Sequence, residues 1–125
     1  GIALADLLAI VHAHDAAIVA AHPFRWDQDF EALIDRFGPV FDALELVSNN
    51  VSPQTRRQTT QLLKRYPGLG ATGSSDAHEP GVVGCYYSTF PGPIRTMREF
   101  VAALRARSSR PRHRVDAWLH SGPVG

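Results

Sequence analysis

The stretch FEALIDRFGPVFDALELV, residues 30–47, contains two different hydrophobic patterns. In residues 30–37 the apolar side chains recur every three or four positions, which predicts an amphipathic helix that ends at Gly38. Residues 43–47 form an almost continuous apolar run of strand length. A helix followed by a strand without a polar face is typical of parallel α/β folds, because both faces of such a sheet are covered.

The same two patterns alternate along most of the chain. Helices are predicted at residues 4–11, 30–37, 52–66 and 97–104, and strands at residues 16–21, 43–47, 69–72 and 85–90. Asp27 is expected to cap the second helix, Ser52 the third and Thr96 the fourth. The predicted fold class is therefore α/β, with a mostly parallel sheet and flanking helices.

The composition excludes several classes of protein. Of 125 residues, 44% are hydrophobic and 20% charged, which is typical of one globular domain and argues against wholesale disorder. No apolar run reaches the ~18 residues needed to span a bilayer, and the basic start of a signal peptide is missing. Cys85 is the single cysteine, which rules out an internal disulfide, and we expect it to be a small buried residue. A cytoplasmic protein without a membrane partner is expected.

Charge is distributed unevenly along the chain. Residues 1–50 carry eight acidic and two basic residues, whereas residues 51–125 carry eleven basic and four acidic ones. Residues 108–125 show no periodicity, so we expect a folded domain over residues 1–107 followed by a loose basic tail. Trp118 in this tail could pack against the folded domain. A basic end is most simply a solvated surface. Nucleic acid is not expected as a partner, because no aromatic residues are interleaved for base stacking.

Two loops carry most of the reactive side chains, and each directly follows a predicted strand. Their sequences are AHPFR at residues 21–25 and GSSDAH at residues 73–78. In parallel α/β proteins ligands bind at the carboxyl ends of the strands, so both loops are expected at the functional edge. Asp76 and His78 would point to the same side of an extended segment, as one metal ion would require. A chance Asp-x-His pair in a loop is the alternative.

Four further residues have both a functional and a purely structural interpretation. His22, held extended by the following proline, is either a metal ligand or an imidazole bonded to a backbone carbonyl. Glu45 interrupts an apolar strand, so its charge is either paired or metal-bound, or it reaches water near the end of the strand. His12 and His14 lie about 200° apart around a helix, so we expect a solvent-exposed helix end rather than a metal pair.

The motifs together resemble the C-terminal half of PHP-domain proteins, the polymerase and histidinol phosphatase superfamily. The resemblance extends from residue 4 to residue 107. It rests on Ala21-His22-Pro23, Leu44-Glu45-Leu46, GSSDAH at 73–78, VGCYYSTF at 83–90 and the Gly92-Pro93 turn before the last helix. It implies a distorted β/α barrel that binds divalent metal ions (zinc, manganese or iron) at the strand ends, and a phosphoesterase activity.

The resemblance also implies roles for individual residues. His22, Asp76 and His78 correspond to metal ligands, and Glu45 corresponds to a recurrent acidic position. Arg25 is placed to anchor a substrate phosphate, because a planar guanidinium matches the phosphate oxygens.

The motifs that open the family are missing from this sequence. The His-x-His strand has no counterpart, nor do the Asp-His and Glu motifs that follow it. His12 and His14 cannot replace the opening motif, because they precede the Ala-His-Pro strand within one helix. We therefore expect an incomplete part of the barrel: a truncated chain, a proteolytic fragment or a natural half-barrel.

The leading functional hypothesis is a metal-dependent phosphoesterase that acts on a phosphorylated small molecule or a nucleotide, with this chain inactive when alone. The alternatives are a non-catalytic half-barrel that serves in binding or assembly, and a PHP module attached to a nucleic-acid enzyme. Because a half-barrel leaves apolar strand edges open, we also expect a homo-oligomer or association with the missing half.

Overall fold

The structure is a computed structural model that describes residues 1–115. Its helices are α1 (Leu4–Ala13), α2 (Phe30–Phe37), α3 (Pro53–Arg65) and α4 (Met97–Arg105). Its strands are β1 (Val19–Ala20), β2 (Ala43–Val47), β3 (Gly70–Gly73), β4 (Tyr86–Thr89) and β5 (Arg110–His113). Two short 3-10 helices cover Arg25–Asp27 and Pro80–Val82. All four predicted helices and all four predicted strands are present.

The strands β1, β2 and β3 form a parallel sheet in that order, which confirms the predicted strand direction. Ala43 in the central strand pairs with Val19 on one side and with Gly70 on the other. The first strand is shorter than predicted. Its pairing is extended by Ile18, which donates its N–H to the Asp42 carboxylate at 2.8 Å and accepts from the Asp42 N–H at 2.9 Å.

Helices α2 and α3 cover one face of this sheet. The shared core contains seven buried side chains: Ala20, Phe24, Phe30, Ile34, Leu44, Leu62 and Leu69. The other face, which carries Ala43, meets α4, since the carbonyl of Leu104 lies 3.5 Å from where a Cβ on Gly70 would be. Burying each of the larger apolar side chains stabilises the fold by about 1.5–3 kcal/mol. The sheet is thus fixed from both faces, and its carboxyl edge is left for the loops.

The strands β4 and β5 form a separate antiparallel ribbon, in which Tyr86 pairs with His113 and Thr89 with Arg110. The expectation of a loose tail is therefore wrong for residues 110–113. Alternate side chains of β5 are exposed, so a strand rich in arginine shows none of the apolar periodicity that identifies a buried one. Residues 116–125, including Trp118, lie outside the described residues.

Gly73 joins the two sheets. A Cβ on this residue would lie 2.7 Å from the backbone oxygen of Tyr87, so only glycine permits this approach of β4 to β3. The hydroxyl of Ser88 accepts from the Gly73 N–H and donates to the Gly73 carbonyl, both at 2.9 Å. The end of β3, where the GSSDAH loop begins, is thereby fixed.

The helix caps agree with the sequence at two of the three predicted positions. Ser52 and Thr96 each accept a hydrogen bond from a backbone N–H of the first turn. The second helix is capped by Asp29, not by Asp27, and the Asp29 carboxylate accepts from the N–H of Ala32 at 2.9 Å. Asp27 belongs to the preceding 3-10 turn, so the capping residue lies two positions later than predicted.

Within residues 1–115 the strands form one three-stranded and one two-stranded sheet and no closed barrel. The α/β class is confirmed, whereas the barrel implied by the resemblance is not. None of the helices in this part of the chain is long and apolar enough to cross a membrane.

Candidate functional site

The carboxylate of Asp76 is the centre of a polar cluster at the carboxyl edge of the parallel sheet. Its Oδ2 atom lies 4.0 Å from Nε2 of His22 and 3.7 Å from a terminal nitrogen of Arg25. The same oxygen accepts a hydrogen bond from the side-chain amide of Asn50. Because these residues follow β1, β2 and β3, three neighbouring loops meet at one carboxylate. The structure therefore brings together three of the sequence-predicted residues, His22, Arg25 and Asp76.

Both loops contain residues other than glycine with a positive φ, a backbone conformation that such residues rarely adopt. His22 has a φ of 29° and Asp76 a φ of 46°, and Phe24, Trp26 and Asp27 are also left-handed. Such residues cost about 1–3 kcal/mol each and persist only where the surroundings hold them. In the first loop Phe24 is buried in the core. The loop is therefore anchored by packing while His22 remains partly exposed.

The buried side chain of Glu45 forms hydrogen bonds to both loops. The side chain is 5% exposed, and its Oε2 accepts from the backbone N–H of His22 at 2.8 Å. The other carboxylate oxygen accepts from the hydroxyl of Ser74. Of the alternatives that the sequence left open for Glu45, the structure shows a buried, hydrogen-bonded carboxylate. Both partners belong to loops that carry candidate site residues.

His78 lies apart from this cluster. Its ring is exposed, and Nδ1 lies 3.0 Å from the backbone oxygen of Asp76. The extended conformation expected for residues 76–78 is wrong, because Asp76 adopts a left-handed backbone that turns the chain. An extended i, i+2 pair would share a side, whereas this turn directs the His78 ring back onto its own loop.

The described residues do not fit a complete metal site. Among residues 1–115 there is no group of three or more His, Cys, Asp or Glu side chains arranged to hold a metal ion. His22 and Asp76 supply an imidazole and a carboxylate, both of them metal donors, but catalytic zinc sites take three protein ligands. The oxygen of Asp76 that faces His22 is also occupied by Asn50 and lies beside Arg25.

Sequence reasoning missed two members of this region, Asn50 and Trp26. Asn50 could have been found from its place, because it follows β2 as His22 and Asp76 follow the neighbouring strands. Trp26 gave no signal in the sequence. The guanidinium of Arg25 lies 4.2 Å from the centroid of the Trp26 ring, a distance suited to a cation–π contact. Trp26 itself is 72% exposed.

A polar cleft of about 780 Å³ adjoins the cluster. Its walls include Arg25, Trp26, Asn50, Gln54 and Gln58, contributed by the loop after β1, the loop after β2 and the face of α3. The cleft is open to solvent, and Arg25 contributes to both the cleft and the Asp76 cluster. A ligand held by Arg25 therefore has room to extend over Trp26 and the glutamines, beside the carboxylates that also line the cleft, Asp27, Asp29 and Glu31.

The predictions made for other reactive side chains are confirmed. His12 and His14 are exposed at the end of α1, and Nδ1 of His14 lies 2.8 Å from the Ile10 carbonyl. Cys85 is buried, with its sulfur 3.4 Å from the side-chain oxygen of Asn49.

Residues 57–109 match the family model described as PHP-associated. This segment is similar to the PHP-associated family, in agreement with the resemblance inferred from the motifs, over most of α3 and over β3, β4 and α4. The matched segment contains Asp76 and His78, whereas His22, Arg25 and Glu45 precede it. Comparison with curated proteins finds no match, and comparison with solved structures finds none either.

Proposed function

We propose that this chain contributes the phosphate-binding part of a PHP-type phosphoesterase. The observation that carries the proposal is the convergence of His22, Arg25 and Asp76 on one edge of the sheet. The match of residues 57–109 to a PHP-associated model supports the same family context. The reaction would be hydrolysis of a phosphate ester, and the substrate a phosphorylated small molecule or a nucleotide.

Arg25 would bind the phosphoryl oxygens of the substrate. Its guanidinium is held between the carboxylate of Asp76 at 3.7 Å and the ring of Trp26 at 4.2 Å. A planar fork oriented in this way matches two phosphate oxygens and offsets their charge. The remainder of the substrate would lie in the polar cleft that begins at Arg25.

His22 would exchange the proton of the reaction. Its Nε2 atom faces Asp76, and its backbone is held by Glu45, so the ring is oriented from two sides. An imidazole in this position can accept a proton from water or donate one to a leaving oxygen. Asp76 would orient both His22 and Arg25, since its Oδ2 atom lies within 4.0 Å of each.

Metal dependence is a separate part of the proposal, in which the His22 ring acts as a metal ligand instead of exchanging a proton. The resemblance implies divalent ions such as zinc, manganese or iron, but His22 and Asp76 supply only two donors among the described residues. We propose that a second copy of the chain, or another segment of the polypeptide, completes the ligand set.

Isothermal titration calorimetry with Zn²⁺ and Mn²⁺ tests this proposal. We expect measurable binding to the 125-residue chain, weakened at least about tenfold by His22→Ala and by Asp76→Asn, since even supporting residues of metal sites cost this much. His14→Ala is the matched control, because it removes an exposed histidine at the end of α1. Equal binding by all four proteins would contradict the assignment of His22 and Asp76.

A non-catalytic binding module is the second candidate function. It is favoured by the hydrogen bond from Asn50 and the Arg25 contact, which already satisfy Asp76. It is favoured also by an apolar cleft of about 540 Å³ between β1, β3 and α4, whose walls include Val19 and Phe100. A module of this kind would bind no metal at His22 and Asp76 and would associate through the apolar cleft.

A further inference from the structure

A third cleft, of about 310 Å³, lies between the β4–β5 ribbon and α3. Its walls are formed by Val47, Arg56, Tyr86, Pro111, Arg112 and His113. Two of these residues are arginines from different elements, and none of the six carries a carboxylate. Within residues 1–115 this cleft shares no wall residue with the polar cleft beside Arg25. It is therefore a distinct, positively charged site.

The two arginines of this cleft differ from neighbouring arginines in the hydrogen bonding of their side chains. Arg105, Arg107 and Arg110 donate hydrogen bonds to backbone carbonyl oxygens and so hold the C-terminal segment in place. The side chains of Arg56 and Arg112, by contrast, form no hydrogen bond or ion pair with any of residues 1–115. Both guanidinium groups keep their donors available to a ligand.

We infer that this cleft binds the phosphate group of a ligand, between Arg56 and Arg112. Two guanidinium groups from different elements of the fold line one cleft and can present several N–H donors to one anion. Charge-assisted hydrogen bonds of this kind are among the stronger ones in proteins. Arg56 also lies in the first turn of α3, where the helix dipole adds positive potential.

The aromatic wall suits a phosphate ester as well as free phosphate. The rings of Tyr86 and His113 lie 4.7 Å apart and form one side of the cleft. An organic group attached to the phosphate would contact this pair, whereas inorganic phosphate would engage the arginines alone. The phosphate is the shared element that the site recognises.

The test is an NMR titration of the full 125-residue chain with inorganic phosphate and with phenyl phosphate, against sodium chloride of equal ionic strength. We expect both phosphates, but not chloride, to shift the backbone amide signals of Tyr86, Arg112 and His113. Arg56→Gln and Arg112→Gln should each weaken this binding about tenfold or more, because each removes charge-assisted hydrogen bonds. Tighter binding of phenyl phosphate would identify an ester as the preferred ligand.

Two controls separate this site from the candidate active site. Arg95→Gln removes the same charge at an exposed position outside the cleft and should leave the affinity unchanged. Arg25→Gln should also leave the shifts at Tyr86 and Arg112 unchanged, whatever it does to binding near Asp76. Equal losses in the Arg56, Arg112 and Arg95 variants, or equal shifts with chloride, would overturn the inference, because binding would then reflect net charge alone.

Discussion

The carboxylate of Glu45 in β2 accepts a hydrogen bond at 2.8 Å from the backbone N–H of His22, which lies 23 positions away in the loop after β1. The second oxygen of the same carboxylate holds the hydroxyl of Ser74 at the end of β3. One buried side chain of the central strand thus connects the two loops that carry His22 and Asp76. Glu45 acts as a positioning residue, because it touches the supports of the site and not its reactive atoms.

Removing the Glu45 carboxylate should loosen both loops. Glu45→Ala leaves two donors without their acceptor, and each buried unsatisfied group costs about 1–3 kcal/mol. We expect a lower free energy of unfolding in urea denaturation, and a smaller loss for Glu45→Gln, whose amide can still bond both partners. Glu31→Ala, on the exposed face of α2, is the control. Equal stability of the Glu45→Ala and Glu31→Ala proteins would contradict the positioning role.

Gly73→Ala should destabilise the contact between the two sheets. The added methyl group would lie 2.7 Å from the Tyr87 carbonyl and 3.0 Å from the Val47 side chain. Overpacking of this kind costs about 1–3 kcal/mol. Gly81→Ala is the matched control, since a Cβ there meets nothing within 4 Å. Thermal denaturation of both variants measures the effect, and the account is contradicted if the two melt at the same temperature.

The helices and the parallel strands could be predicted from the sequence because each helix carries an apolar stripe and the strands are apolar runs. Leu44 and Leu62 illustrate this, since both are almost fully buried where the pattern places them. Strand β5 could not, because Arg112 faces solvent and leaves no apolar alternation. The ribbon it forms with β4 depends on pairing between distant residues, which periodicity does not encode.

The candidate site was only partly predictable. The rule that loops after parallel strands share an edge places His22 and Asp76 together, and they lie 4.0 Å apart. His78 was misplaced because the rule for extended residues fails at the left-handed backbone of Asp76. The contact of Arg25 with Trp26 depends on the turn after β1. The left-handed residues of this turn are not glycines, so the sequence does not predict their conformation.

We predict little hydrolysis of p-nitrophenyl phosphate by the chain alone, with either Mn²⁺ or Zn²⁺. The reason is that His22 and Asp76 supply only two potential metal ligands among residues 1–115. The release of p-nitrophenol, followed by absorbance, measures the rate. Robust turnover that Asp76→Asn abolishes would show that the ligand set is already complete.

Self-association is expected through the open edge of β1. Within the described residues β1 pairs on one side only, and Val19 is 38% exposed beside Phe100 in the apolar cleft. An exposed apolar strand edge favours pairing with another chain. Light scattering after size-exclusion chromatography should show species larger than 13.7 kDa, and Val19→Lys should shift them toward the monomer. A monomer at every concentration would contradict this expectation.

The central claim is that the loops after β1 and β3 form one site around Asp76. Paramagnetic broadening by Mn²⁺ tests it most directly, because the ion broadens the NMR signals of nearby residues only. We predict that the amide signals of His22, Phe24, Arg25 and residues 74–77 broaden together at low Mn²⁺, and that Asp76→Asn abolishes the broadening in both loops. Broadening confined to one loop, equally strong broadening at His12 and His14, or an unchanged pattern in the variant would contradict the claim.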